Sequence, residues 1–344
     1  MSTLASKCRT GLKMLASQVR ERRLRVPSLF FLLSPTSTKA RTPDQRQLVQ
    51  QMRRDGIVKL QGFIDPETLA DMQAGIERIV ATVDERRKKD PDYDANVSKK
   101  VPGELYPHSV DSTESWYDHE LGFYSSLDPF KYSTGLARFA TSDKMVSLVN
   151  SYYRKQAYIA RVMSYRNFPM KRQRGRLAYV WHHDNWGRKL NATVILSEIG
   201  ENDQYVSYKK SSHRLYHGNR FVRSGPNYSD EEIERDFPEY ETLRCTGKPG
   251  DVYLFDANGL HTANSSEGRI RDIYLLMYYC DPTYIYRQTI PDQIKQSLGS
   301  ADLRAWKETI KLTELKRRRG DPSILPLLGL SWMDTLRHVR HWLL

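Results

Sequence analysis

Cysteine is scarce in this chain: Cys8, Cys245 and Cys280 are the only three in 344 residues, and no two form a Cys-x-x-Cys pair. An odd, widely scattered set of thiols argues against a disulfide framework and a cysteine zinc site, and fits a reducing interior. Long apolar runs are missing too. The stretch Ser28 to Leu33 is the longest candidate, far short of the roughly 18–20 residues that a membrane-spanning helix needs. No internal repeat or long low-complexity tract is present. The centre of the chain also lacks a net charge. Residues 1–41 carry nine Lys/Arg against one Glu, and residues 303–344 carry nine against four; the remainder, 42–302, balances at 36 basic and 36 acidic. The overall +13 thus belongs to the ends, and nucleic acid is an unlikely partner for the body of the protein.

What is there divides into three parts. Residues 1–41 form a basic N-terminal extension with Leu4, Cys8, Leu12, Leu15 and Val19 at helical spacing. It is read as a solvated arm, with a surface helix on anionic lipid and an organelle presequence as its rivals. Residues 42–290 form the body of the protein. Residues 291–344 form a helical basic C-terminal extension, in which Ile324 to Leu344 mixes apolar residues with Arg337 and Arg340. The expected location is cytoplasmic, with peripheral membrane contact through the basic ends or organelle import as alternatives. The oligomeric state is not legible.

Within the body, Gln45 to Asp55 reads as a helix and Gly56 to Phe63 as a strand with period-two apolar residues. Asp65-Pro66 opens a second helix that continues to about Lys89. Residues 90–130, with four prolines, read as a lid or substrate loop containing Tyr106, His108 and Trp116. A helix follows over Ser142 to Tyr153. From there the pattern turns to strands: Ala157–Tyr165, Leu177–His182, Leu190–Leu196, Tyr205–Tyr208, Asp251–Phe255 and Asp272–Tyr279. This density of strands predicts a mainly β fold with flanking helices, built on a double-stranded β-helix of the jelly-roll or cupin-like type.

Two segments carry chemistry. In Trp181-His182-His183-Asp184, residues at i and i+2 share a strand face. His182 and Asp184 therefore project together and His183 points away. An imidazole beside a carboxylate is two thirds of a 2-His-1-carboxylate set, which holds iron and leaves open positions. In Pro249-Gly250-Asp251…Phe255…His261, a turn feeds a strand, and a second turn can return His261 to the first pair. Arg269 and Arg271 follow eight and ten residues on. Either guanidinium suits bidentate recognition of a carboxylate.

The ordered combination of these segments resembles the phytanoyl-CoA dioxygenase family of Fe(II)/2-oxoglutarate-dependent oxygenases. The opening strand Asp55 to Phe63, followed by the helix begun at Asp65, is similar as well, so the resemblance covers residues 45–285. It implies Fe(II) on His182, Asp184 and His261. It also implies 2-oxoglutarate anchored by Arg271, with Arg269 as the alternative and Thr262 and Asn264 bordering the cosubstrate. O2 is then consumed, with release of succinate and CO2, as a small-molecule or lipid-linked substrate is hydroxylated; desaturation and cyclisation share the same iron chemistry. An anionic or CoA-linked substrate is expected, with Tyr165, Trp186, Arg188, Tyr208 and Lys210 at the mouth. Two rivals remain: a membrane-docked oxygenase acting on a lipid or glycolipid, and a non-catalytic binding module on the same fold, which a degraded triad would mark. Asp184 argues against the halide-binding variant, where a small residue replaces the carboxylate. The stretch Lys209-Lys210-Ser211-Ser212-His213 lacks the family's Pro-Gly turn, which makes the substrate side unusual. The interval from His261 to Arg271 is also about one residue shorter than in the family.

Overall fold

The computed structural model describes residues 26–27, 42–94, 115–119, 121–153, 158–169, 180–184, 189–216, 228–264 and 268–279. Nearly all of both basic extensions falls outside these residues, as do Tyr106, His108, Trp186 and Arg188 and the first half of the expected strand Leu177–His182.

The first elements are set by local chemistry. Helix α1 (Pro43–Asp55) starts at Thr42, whose side chain accepts from the Gln45 amide, and has proline at its first position. It stops at Gly56, which takes a left-handed φ of 79°. No side chain fits there, since a Cβ would run into His213 and Tyr208. Strand β1 (Ile57–Leu60) leads to α2 (Pro66–Lys89), capped by Asp65 and ending in the basic run Arg86, Arg87, Lys88, Lys89 that complements the helix dipole. Helices α3 (Thr134–Thr141) and α4 (Asp143–Tyr153) complete this layer.

Besides the two-residue pair Val26–Pro27 and Leu215–Tyr216, the further strands are β2 (Ser115–Asp118), β3 (Phe123–Ser126), β4 (Tyr158–Asn167), β5 (Lys189–Ile195), β6 (Val206–Lys209), β7 (Thr242–Arg244), β8 (Val252–Asp256), β9 (His261–Ala263) and β10 (Arg271–Tyr279). A short helix, α5 (Asp230–Asp236), lies between β6 and β7 and carries a full capping box from Ser229 and Glu232. Seven strands form one antiparallel sheet in the order β1-β8-β5-β10-β4-β3-β2. Three form a second sheet, β9-β6-β7. Trp181 and His182 extend the small sheet through isolated bridges to Tyr228 and His261. Two sheets face to face make the expected jelly-roll core.

The central strands are buried on both sides, and their residues alternate between two different environments. Leu190, Ala192, Val194, Val252, Leu254, Tyr274, Leu276 and Tyr278 pack against the helices in the main core. The other face looks toward the small sheet. There Ile195, Tyr253, Phe255 and Ile273 meet Tyr205, Tyr208 and Cys245, while Trp116, Phe123, Met163 and Met277 cluster with Ala263. On that same inner face lie Lys189, Asn191 and Thr193 of β5, and the register sets Asn191 and Thr193 beside Met277 and Leu275 of β10, and Met277 beside Arg161 of β4.

The 90–130 segment differs from the expected loop. Its C-terminal part is the hairpin β2–β3, which extends the large sheet, and Trp116 is buried in it. Short strands rich in Ser and Tyr give little periodic signal, so the pairing comes from the edge that β4 offers.

Candidate metal centre

His182 and His261 are directly opposite each other on paired backbone. The His182 amide donates to the His261 carbonyl at 3.0 Å, and the His261 amide donates back at 2.8 Å. This hydrogen-bonded pair brings the imidazoles side by side, with ring centroids 4.4 Å apart. Asp184 follows two residues on, its amide tied to the Ala257 carbonyl at 2.8 Å. Its Oδ1 lies 3.7 Å from His182 Nε2 and 3.9 Å from His261 Nε2. One ligand atom from each residue falls within 4.8 Å of the others, a buried set that can hold a metal ion.

The protonation pattern suits ligation. His182 Nδ1 is 2.8 Å from the Val180 carbonyl and His261 Nδ1 is 2.8 Å from the Gly259 carbonyl. A carbonyl only accepts, so each Nδ1 carries the proton and each Nε2 turns its lone pair inward. Burial lowers both imidazole pKa values, that of His261 to about 4 with help from neighbouring His182, so both rings are neutral at physiological pH. Burial works against the charge on Asp184. The Lys189 ammonium, with His261 and His182, overcomes it and holds the carboxyl well below the usual carboxylate range. Lys189 Nζ donates to Asp184 Oδ2 at 2.5 Å, and Asn191 Nδ2 reaches the same oxygen at 3.3 Å. One oxygen of Asp184 is thus held by strand β5 and the other faces the two histidines. Two neutral imidazoles and a single carboxylate oxygen on one side of a cavity match the donor set of a non-haem Fe(II) centre.

The turn that delivers His261 is braced from below. Tyr208 donates to the Asp256 carbonyl at 3.0 Å, the Asn258 side chain donates to the His213 carbonyl at 2.7 Å, and the Leu260 amide donates to Ser212 Oγ at 2.8 Å. Two expectations are corrected here. Lys209 to His213 supports the ligand turn and is not a feature of the substrate side. Tyr208 is fully buried against Phe255, and Lys210 pairs with Glu241 at 2.6 Å, so neither is a mouth residue. Asp251 of the Pro-Gly-Asp motif is structural: it accepts from the Gly62 and Lys248 amides and pairs with Lys59.

The two arginines part company. Arg269 is 55% exposed in its side chain and is engaged by Asp203 and Glu198. Arg271 is buried at the start of β10, on the inner face, and its Nη1 donates to the Gln204 carbonyl at 3.4 Å. Asn264 is not placed for a cosubstrate. Its side chain accepts from the Tyr205 amide at 2.5 Å and donates to the Asp203 carbonyl at 3.2 Å. Thr262 is buried, but it alternates away from His261 and Ala263, and its hydroxyl donates to the Ala263 carbonyl. His183 lies outside the ligand set, its Nδ1 against the Asp184 carbonyl at 3.1 Å. Tyr165, expected at the mouth, is partly buried with its ring edge-on to Phe123; desolvation raises its pKa to about 12, against the opposing charges of Arg161, Arg271 and Lys189.

The phytanoyl-CoA dioxygenase family model matches residues 52–272, well over half of the chain. The chain belongs to that family. It is an Fe(II)/2-oxoglutarate-dependent oxygenase, with iron and 2-oxoglutarate as its cofactors. Its fold is that of EctD from S. alaskensis, solved with 2-oxoglutarate and 5-hydroxyectoine (18% identity, 78% of this chain and 92% of that one, TM-score 0.54). The non-heme alpha ketoglutarate dependent carbocyclase SnoK from nogalamycin biosynthesis is similar in fold as well (14% identity, 77% and 94%, TM-score 0.50). No curated protein matches the sequence.

Lys189 and Asn191 escaped the reading of the motifs. Their signal was present: Lys-Leu-Asn-Ala-Thr-Val-Ile alternates polar and apolar residues in a strand with neighbours on both sides. Such a strand has one face toward a polar interior.

Proposed function

We propose that this oxygenase hydroxylates a small anionic molecule, holding Fe(II) on His182, Asp184 and His261 and the far carboxylate of 2-oxoglutarate on Arg271. The observation that carries the reading is the convergence of two histidine Nε2 atoms and Asp184 Oδ1 on the inner face where Arg271 is buried. One atom of O2 goes to the substrate C–H bond as hydroxyl. The other goes to 2-oxoglutarate, which becomes succinate as C1 leaves as CO2. Bound iron supplies the one-electron chemistry that couples these two oxidations. The chain's own residues bind and orient. The Val180 and Gly259 carbonyls fix both imidazoles, and Lys189 and Asn191 fix the carboxylate. Arg271 offers a buried planar fork for a carboxylate. An anionic substrate is favoured because Arg161 and Arg271 both project from this one face of the large sheet, while Lys189 is offset by Asp184, and the two guanidiniums raise the potential of the chamber.

Succinate release from purified chain, Fe(II) and 2-oxoglutarate tests the reading. It is expected to rise with a carboxylated, phosphorylated or CoA-linked compound and not with neutral analogues. His182→Ala is expected to abolish it. Stimulation by neutral compounds alone would reject the anionic substrate, and full activity in His182→Ala would reject the ligand set.

A further inference from the structure

Lys189 is 1% exposed and sits one carboxylate away from the metal position, a strange place for a cation. Asp184 and Lys189 form a buried ion pair, and each imidazole, with its Nδ1 against a carbonyl, offers the metal an uncharged Nε2, so the three ligands and the lysine together carry no net charge before metal arrives. A divalent metal raises it to a net +2 in a medium where like charges repel strongly. The 2-oxoglutarate dianion offsets that charge. Resting on the ligand set proposed above, we propose that Lys189 is a positioning residue that weakens the hold of the centre on metal alone and so makes metal retention depend on the bound cosubstrate. Its second action is geometric. With Asn191 it occupies Oδ2, so Asp184 offers the metal only Oδ1 and the remaining positions stay open for the cosubstrate. Binding is reciprocal, so the same ammonium strengthens 2-oxoglutarate binding once metal is present.

The test measures Mn(II) affinity with and without 2-oxoglutarate in the whole chain, Lys189→Met and Lys189→Arg. Mn(II) serves as a redox-inert probe, read from the electron paramagnetic resonance of the free ion. Lys189→Met is expected to bind Mn(II) alone about tenfold tighter or more, and its gain from 2-oxoglutarate is expected to shrink by the same factor. Lys189→Arg, which keeps the charge, is expected to follow the wild type. A purely structural lysine predicts the opposite, weaker Mn(II) binding in Lys189→Met as Asp184 loses its support, and that result overturns the proposal. If Lys189→Met folds only with metal, it is prepared with Mn(II) and its loss to a chelator is timed. Loss that is slow with or without 2-oxoglutarate supports the proposal; loss as dependent on 2-oxoglutarate as in the wild type overturns it. His182→Ala is the separate control: if it keeps Mn(II), the ligand assignment has failed and not the role of Lys189.

Discussion

Arg269 and Arg271 lie two residues apart on one stretch of chain and face different tasks. Arg269 lies across Asp203 and Glu198 at the surface, while Arg271 is buried on the inner face. Replacing Arg271 with Met is expected to weaken 2-oxoglutarate binding by about 10- to 100-fold, the loss of a charge-assisted hydrogen bond. Arg269→Met is expected to leave that affinity unchanged and to lower stability, because buried Asp203 loses its charged partner. Calorimetric titration of 2-oxoglutarate into each metal-loaded variant separates the two; equal losses would mean that the arginines share the anchor. Asp203 offers a pH test. Burial pushes its pKa up, but Arg269 and the Arg269 and Gly200 amides hold it at about 2 against the usual 3.8. As pH falls, the unfolded chain takes the proton first. The stabilisation is therefore complete above 3.8 and is lost as pH falls toward 2. Urea melts across this window are expected to show a slope in wild type that is reduced in Asp203→Asn.

At the scale of elements, α2 is the helix most tightly joined to the sheet. A Cβ at Gly75 would lie 2.6 Å from Tyr274 Oη and 3.1 Å from the Tyr132 carbonyl. Tyr274 is fully buried, and its hydroxyl donates to the Met72 carbonyl at 3.0 Å, so it has little room to yield. Gly75→Ala gains about 1 kcal/mol of helix propensity but forces overpacking that costs about 1–3 kcal/mol. A net loss of stability in urea is the expected outcome, and a gain would show that α2 can move away from the sheet. The elements legible from sequence are mostly those with periodic patterns or caps: α1, α2, α4 and strands β1, β4, β5, β6, β8 and β10. Those that were missed are short. Strand β7 is three residues, α5 is seven and mostly charged, and β9 is three residues after a turn. Their places are set by partners across the sheets, which local pattern does not encode. The ligand residues were legible because their types are rare and ordered. Lys189, which touches Asp184, carries no motif of its own, because its role depends on a contact that exists only once β5 lies beside Asp184.

At the scale of the molecule, the centre joins the two sheets. His182 and His261 belong to the small sheet, while Lys189 and Asn191 tie Asp184 to the large one. A metal on these three ligands therefore adds a link between layers that otherwise meet through apolar side chains and hydrogen bonds such as Tyr208 to the Asp256 carbonyl. Metal with 2-oxoglutarate is expected to raise thermal stability, by about 2.7 kcal/mol at a hundredfold excess over Kd, and a chelator should reverse it. Hydrogen exchange should slow on β9 and β5 together. Protection confined to one sheet would mean that the ligands act within a single layer.

The paired backbone of His182 and His261 has a consequence for building such centres elsewhere. Because each residue donates to and accepts from the other, the spacing of the two imidazoles is a property of the β-ladder and not of side-chain packing. A transplant into an unrelated scaffold would need one hydrogen-bonded antiparallel pair for the histidines and a carboxylate two residues beyond one of them. A one-residue slip in register would dismantle it.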